Sequence, residues 1–439
     1  MIAAGEPIVG DPYRSIRISG FLQLIPFAWR GAEKETLVFI QLLFNFLFMA
    51  VGAGSLFSAL KTLGIEPRKA LLSVTLLVFS WAGLVMPVFY PVLSDNLAMP
   101  LCCVAVWCWA NQKNVFLYAI CAWSVWLFPG LFLVPLGLAA FPAKREYAPE
   151  STEEKKLIKF SLFALLLVTG LAAYYYRVER IPMDSIAVHG THGGGKTALL
   201  DFVPTSLALQ CLMIAALAWI GASVVSRPQL YKTIRWSGVV LGLLSVGASY
   251  LLMKTVIDFS TGFQGPPLLD YLMIQSAAAP LKPWVSHFLY FGLVVLVVSA
   301  YCIKWAFRGY NKVPLGLLVV FISFLPFLSF GSESRQWIGV APVMIAIYAL
   351  MDIDRRQQIF LVLASVISLF TMYGIQAGSK TAFSQGLSLQ SGEWQYYFGR
   401  QGPWMSVESY KVGLIALAVV SVIYVLLGLL RPASKATSA

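Results

Sequence analysis

Charged side chains make up only 12% of the 439 residues, and histidine occurs just three times. A soluble globular domain carries about twice that charged fraction. Apolar runs of membrane-crossing length also recur from one end to the other, so a soluble multi-domain protein is excluded. The weak alternating segments of about ten residues that mark a membrane β-barrel are absent too. No cysteine pattern binds a metal or staples exposed loops: Cys102, Cys103, Cys108, Cys121, Cys211 and Cys302 all lie within apolar segments, without ligand spacing. Met1–Glu35 has no apolar core of signal-peptide length. The two halves show no convincing repeat, which weakens a standard transporter reading.

What is present is apolar: 59% of the residues are hydrophobic. In lipid every backbone polar group must be bonded internally, so these runs predict helices. They are read at Thr36–Leu60, Lys69–Tyr90, Asn96–Ala110, Val115–Ala140, Phe160–Tyr176, Val203–Val225, Ser237–Met253, Val285–Ala306, Val313–Gly331, Trp337–Met351, Gln358–Gly374 and Val412–Leu430. The expected fold is all-α, a polytopic transmembrane helical bundle of about eleven to thirteen membrane segments, some of them broken or re-entrant. Phe128-Pro129-Gly130 supplies the break that lets Val115–Ala140 enter and return.

The net charge of +12 does not form a nucleic-acid patch. Lys and Arg fall in short clusters between apolar runs, which is how topology is encoded. Lys61, Arg68 and Lys69, then Lys113, then Lys144, Arg145, Lys155, Lys156 and Lys159 occupy one set of loops. Arg227, Lys232 and Arg235, Lys304, Arg308 and Lys312, Arg355 and Arg356, and Arg431 and Lys435 continue it. Their density places these loops in the cytoplasm of a bacterial inner membrane. Four longer connections then face outward: the segment 1–35 and the loops 177–202, 255–284 and 375–411. The bundle itself covers 36–431 as one domain, followed by a cytoplasmic tail at 432–439. Long loops rich in Gly, Pro, Trp and Tyr are usually functional, so function is expected on the outer face. This topology starts the chain outside with no span before it, which requires a short translocated N-terminus or a spanning helix upstream.

Several outer residues carry candidate chemistry. Gly190-Thr191-His192-Gly193-Gly194-Gly195-Lys196-Thr197 matches the phosphate-cradling G-x-x-x-x-G-K-[ST] pattern. The α/β sheet that a nucleotide hydrolase needs behind such a loop is missing, since an apolar span begins at Val203. The loop is then a plain glycine-rich connection, or its free amides, His192 and Lys196 approach an anionic headgroup. Tyr90-Pro91-Val92-Leu93-Ser94-Asp95-Asn96 is a tight turn into a helix, where Asp95 either caps the helix or faces a cavity. Gly331-Ser332-Glu333-Ser334-Arg335-Gln336-Trp337 joins two spans, and a Glu and an Arg at a membrane boundary must be paired or used. They pin the turn as a salt bridge, or Arg335 grips a phosphate with its planar fork. His287 opens a span, either as a packing residue or as a partner for a departing phosphate. Asp11 and Arg14 lie in the first outer segment, and Arg17 and Arg30 flank an amphipathic stretch, Ile18–Trp29, suited to a membrane surface. Outer aromatics such as Trp394, Tyr396, Tyr397 and Trp404 either mark the interface or stack on a sugar.

This layout resembles the C-type superfamily of multi-spanning glycosyltransferases. The likeness lies in an outer N-terminal segment bearing an acid, broken short helices after the third span, and large outer loops between later spans. Tyr90–Asn96 is similar to the family's turn in which an acid opens a helix, and Ser332–Trp337 to a Glu-x-Arg turn of some bacterial members. The resemblance implies transfer of a hexosyl or pentosyl group from a polyprenyl-phosphate sugar to a glycan or lipid acceptor, within membrane lipid. It implies Asp95 or Asp11 as the base that takes the acceptor's proton, and Arg335 with Lys196, His192 or His287 on the donor phosphate. Glu333 and Arg14 would support them. The family keeps its catalytic acid just after the first spanning helix; Asp11 is nearest by position but follows no such helix here. No cofactor is implied, and no ligand cluster marks a divalent metal. The alternatives are a twelve-span transporter or flippase and a polymerase or ligase of lipid-linked glycans.

Overall fold

The computed structural model of the chain describes residues 17–128, 130–143, 156–181, 200–257, 268–308, 313–369, 380–387, 405 and 407–429. Among these the regular elements are helices, with no β-strand. A short 3₁₀ turn, Ile18–Leu24, and a single helical turn, Ile25–Trp29, precede the first long helix, α1 (Lys34–Thr62). Then follow α2 (Pro67–Val78), α3 (Asp95–Ala110), α4 (Asn114–Ser124), α5 (Leu133–Ala139), α6 (Lys156–Val178), α7 (Val203–Val225) and α8 (Trp236–Val256). The remainder are α9 (Leu268–Ala277), α10 (Lys282–Phe291), α11 (Val294–Arg308), α12 (Leu315–Phe330), α13 (Ala341–Leu350), α14 (Arg355–Leu369) and α15 (Val407–Leu429).

The described parts of the twelve apolar segments expected from sequence fall largely on helix; residues 370–374 and 430 lie outside the described residues. Among the described residues five single helices are long and apolar enough to cross a membrane: α1, α6, α7, α8 and most of α15. Two bent pairs bring the number to seven if each is one span, and α3, α4 and α12 are shorter apolar helices. The first pair joins α2 to Trp81–Phe89 at 65°. Its break begins at Ser80, whose hydroxyl accepts from the Gly83 amide, and continues as a π-type turn, Trp81–Val85. The second joins α10 to α11 at 120°, inside what the hydropathy pattern presents as one span. Gly292, at φ 82° and ψ −177°, makes that corner in a conformation essentially open to glycine alone. The expected break after Val115 is present: α4 ends at Ser124, Gly130 turns with φ 83°, and α5 packs back on α4, both against α8.

Burial sorts the helices. All of α13 is buried, and of α3 only Val104 and Trp107 are not. By contrast α6, α8 and α15 expose most of their large apolar side chains. Such a belt is what lipid solvates and water does not. Helix α1 approaches α3 closely at Gly52, where an added Cβ would come within 2.8 Å of the Pro100 Cα. Basic residues gather at one end and bond the carbonyls of helix C-termini there, where the dipole favours cations. Lys69 reaches Met351 O, Arg235 reaches Phe141 O at 2.9 Å, Lys159 reaches Ala306 O at 3.1 Å and Arg227 reaches Trp305 O at 3.4 Å. The start of α3 and the 332–336 turn lie at the opposite end.

Candidate active site

A ladder of amides builds the turn that carries Asp95. Gln23 Nε2 donates to Gln41 Oε1 at 2.8 Å, and Gln41 Nε2 to Asn45 Oδ1 at 2.8 Å. Asn45 Nδ2 donates to Pro91 O at 3.0 Å, and from the far side Asn96 Nδ2 donates to Tyr90 O at 2.8 Å. Gly20 rests against Ser94, where a Cβ would stand 3.2 Å from the Ser94 Cα. The N-terminal segment, α1 and the 90–96 turn are therefore locked together. Ser94 occupies the N-cap position of α3 without a capping bond, and Asp95 is the first helical residue. Asp95 is fully buried, and neither carboxylate oxygen has a hydrogen-bond partner. Capping does not explain it. Ser94 Oγ and Asn96 Oδ1 beside it are buried and unpartnered as well.

The facing turn is held from two sides. Gln275 Oε1, on α9, accepts from Ser332 N at 2.7 Å, Ser332 Oγ at 2.9 Å and Glu333 N at 3.2 Å. On α10, Ser286 Oγ donates to Ser332 O and touches Ser334 Oγ at 3.1 Å. His287 Nε2 lies 3.0 Å from Leu328 O, an acceptor only, so this nitrogen carries the proton. In the neutral ring Nδ1 then accepts from Ser334 Oγ at 2.8 Å. Both ring nitrogens are engaged and the ring is fully buried, so in this state His287 pins the turn and offers nothing to a ligand. Glu333 pairs with Arg335 through one oxygen, with Nε at 2.7 Å and Nη2 at 2.6 Å. Its second oxygen accepts from Gln336 Nε2 and, at 3.3 Å, from Tyr271 Oη. The Glu-Arg pair is thus a salt bridge here, while Arg335 stays partly open, with 23% of its side chain exposed.

Three chain segments converge on Asp95. Arg335, Arg17 and Glu333 all lie within electrostatic reach of its carboxylate. Arg17, from the N-terminal segment, also stacks over Phe128 at 4.4 Å. Tyr290 of α10 is fully buried with an unpartnered hydroxyl, and Asp95, Arg335 and Glu333 all act on it electrostatically. Two carboxylates, two guanidiniums and a phenol therefore gather around Asp95, with the Asp95 carboxyl and the Tyr290 phenol fully buried and both guanidiniums partly exposed. Such a set can accept a proton at one point and stabilise an anion at another. Among the described residues no group of three or more His, Cys, Asp or Glu side chains is placed to hold a metal.

Of the residues singled out from sequence, Asp95, Glu333 and Arg335 come together, with His287 behind the same turn. Asp11, Arg14, His192 and Lys196 lie outside the described residues, as do the outer aromatics between 388 and 404. Arg17 was visible only as a flank of an amphipathic stretch, and Tyr290, Tyr271 and Gln275 gave no signal of their own. Tyr271 and Gln275 sit at i and i+4 on α9, a helix inside what reads as an outer loop; that spacing was their one trace.

Comparison with family models, with curated proteins and with solved structures finds no match to this chain.

Proposed function

We propose that the protein is a membrane glycosyltransferase that moves a sugar from a polyprenyl-phosphate donor to a lipid-linked glycan or other cell-envelope acceptor on the extracytoplasmic face. The observation that carries this reading is a buried carboxylate without a hydrogen-bond partner, Asp95, in electrostatic reach of the Arg335 guanidinium. In the reaction the acceptor oxygen attacks the anomeric carbon while the bond from that carbon to the phosphate oxygen breaks, its electron pair leaving with the phosphate. The acceptor's proton passes to Asp95. Arg335, assisted by Arg17, stabilises the departing phosphate, a role the planar guanidinium suits. Arg335 is engaged by one oxygen of Glu333, whose other oxygen is held by Gln336 and Tyr271. Glu333 can therefore yield one oxygen's contacts to a phosphate and keep its position. Asp11, Arg14, His192 and Lys196 are the candidates to complete the site from segments outside the described residues.

One observation favours a second reading. Both bent helix pairs end beside the cluster: Trp81–Phe89 leads into the 90–96 turn, and Gly292 lies two residues from Tyr290. Discontinuous helices around a polar site are how many transporters and flippases bind substrate. Purified protein in liposomes, given labelled polyprenyl-phosphate sugars and a lipid-linked acceptor, separates the two. Glycosyl transfer predicts a labelled covalent product. Movement of label across the bilayer with no product formed would replace the transferase reading by the transporter.

A further inference from the structure

Among the described residues two lysines are buried, and they are treated differently. Lys159 on α6 donates to Ala306 O at 3.1 Å and lies over the Trp219 ring at 4.4 Å, so its ammonium is compensated. Lys282 is fully buried, its Nζ has no hydrogen-bond partner, and no charged side chain lies within electrostatic reach. An amine buried without a partner is satisfied either by shedding its proton or by gaining an anion that supplies the missing charge. Its position makes the imbalance worse. Lys282 is the first residue of α10, the end of a helix where the dipole is already positive, although its own amide is bonded to Ala279 O at 3.2 Å and Pro283 has none. A cation there is misplaced unless an anion joins it.

The surroundings are fixed in place. Leu281, just before it, is held in the left-handed region at φ 55°, unusual for a branched residue and maintained only where the packing dictates it. Pro280 O accepts from Tyr410 Oη of α15 at 2.8 Å, tying the entry of α10 to that helix. Lys282, Ser286 and Tyr290 recur at every fourth residue and so share one face of α10, with Ser286 bonded to the 332–334 turn. Lys282 stands about 12 Å along the axis from Tyr290, at 1.5 Å per residue. It is thus separate from the Asp95 cluster but on the same wall.

We propose that Lys282 and the first turn of α10 form a second anion subsite, which takes a carboxylate or phosphate group from a soluble ligand or a lipid headgroup. The subsite does not depend on the transfer reaction proposed for Asp95. The test uses the purified full chain and follows its thermal unfolding at constant ionic strength. Inorganic phosphate and acetate probe the soluble source; vesicles of phosphatidylcholine with and without phosphatidylglycerol probe the lipid source. In wild type at least one of these anions raises the unfolding temperature by roughly 2–4 °C at saturation. K282M, which removes the stranded charge, folds and loses that response, whereas R335Q keeps it. A K282M protein that responds like wild type, or a wild type that responds to none of the probes, overturns the subsite.

Discussion

On the wall formed by the 332–336 turn and the side chains that hold it from α9 and α10, the acceptors are bonded, although Gln275 Nε2 is buried without a partner. Gln275 serves three donors, Glu333 serves Arg335, Gln336 and Tyr271, and His287 is engaged at both nitrogens. On the wall formed by the start of α3 and the end of α10, Ser94, Asp95, Asn96 and Tyr290 all carry buried oxygens with no partner. Ser94, Asp95, Asn96 and Tyr290 are buried whereas Arg335 and Tyr271 on the bonded wall are partly exposed, so the more buried wall is the one left unbonded. The bonded wall can repay its desolvation within the protein and reads as scaffold; the unbonded wall cannot, and reads as the surface a substrate completes. Folding supports the first at the expense of freedom, and function requires the second to stay unfinished.

Substitutions on the two walls should therefore differ in kind. The largest loss of stability is expected for Glu333→Ala, which strands Arg335 and releases Gln336 and Tyr271. Removing one partner of a largely buried pair costs about 3–5 kcal/mol, measured by unfolding in detergent. Ser334→Ala leaves His287 Nδ1 without its donor and should cost about 1–3 kcal/mol, the range for an orphaned buried acceptor. Deleting a hydroxyl on the other wall, Tyr290→Phe, removes no bond and should shift stability by no more than about 0.5 kcal/mol, while it slows transfer. A Tyr290→Phe protein destabilised as much as Ser334→Ala would erase the contrast. Asp270→Asn, which belongs to neither wall, breaks the 3.1 Å pair with Arg177. With side-chain exposures of 27% and 41%, that pair should contribute about 0–1 kcal/mol.

Hydropathy made the helices legible because lipid leaves the backbone no other partner, and the described parts of the apolar runs fall largely on them. It did not reveal bends: Gly292 sits in an unbroken apolar run, and hydropathy reports the solvent around a segment, not its direction. Proline made the difference at Phe128–Gly130, where the break was readable. Local chemistry was legible at Asp95 and at the Glu333–Arg335 turn, because charges at a membrane boundary are rare enough to stand out. Their convergence with Arg17 and Tyr290 was not, since it depends on contacts spanning most of the chain. His287 shows the reverse. A lone histidine drew notice, and only the positions of Ser334 and Leu328 reveal that its nitrogens are already engaged. Lys282 was hidden by its setting, a Pro-Leu-Lys-Pro stretch that reads as loop.

The claim that Asp95 is kept unbonded for a substrate is tested most directly on Asp95→Asn, with sugar transfer and thermal unfolding measured on the same preparation. The account predicts transfer slowed by at least about 100-fold, the contribution of a general base, in a protein that unfolds at the same temperature as wild type or higher. Transfer at the wild-type rate would contradict it, and so would a loss of stability on the scale expected for Glu333→Ala.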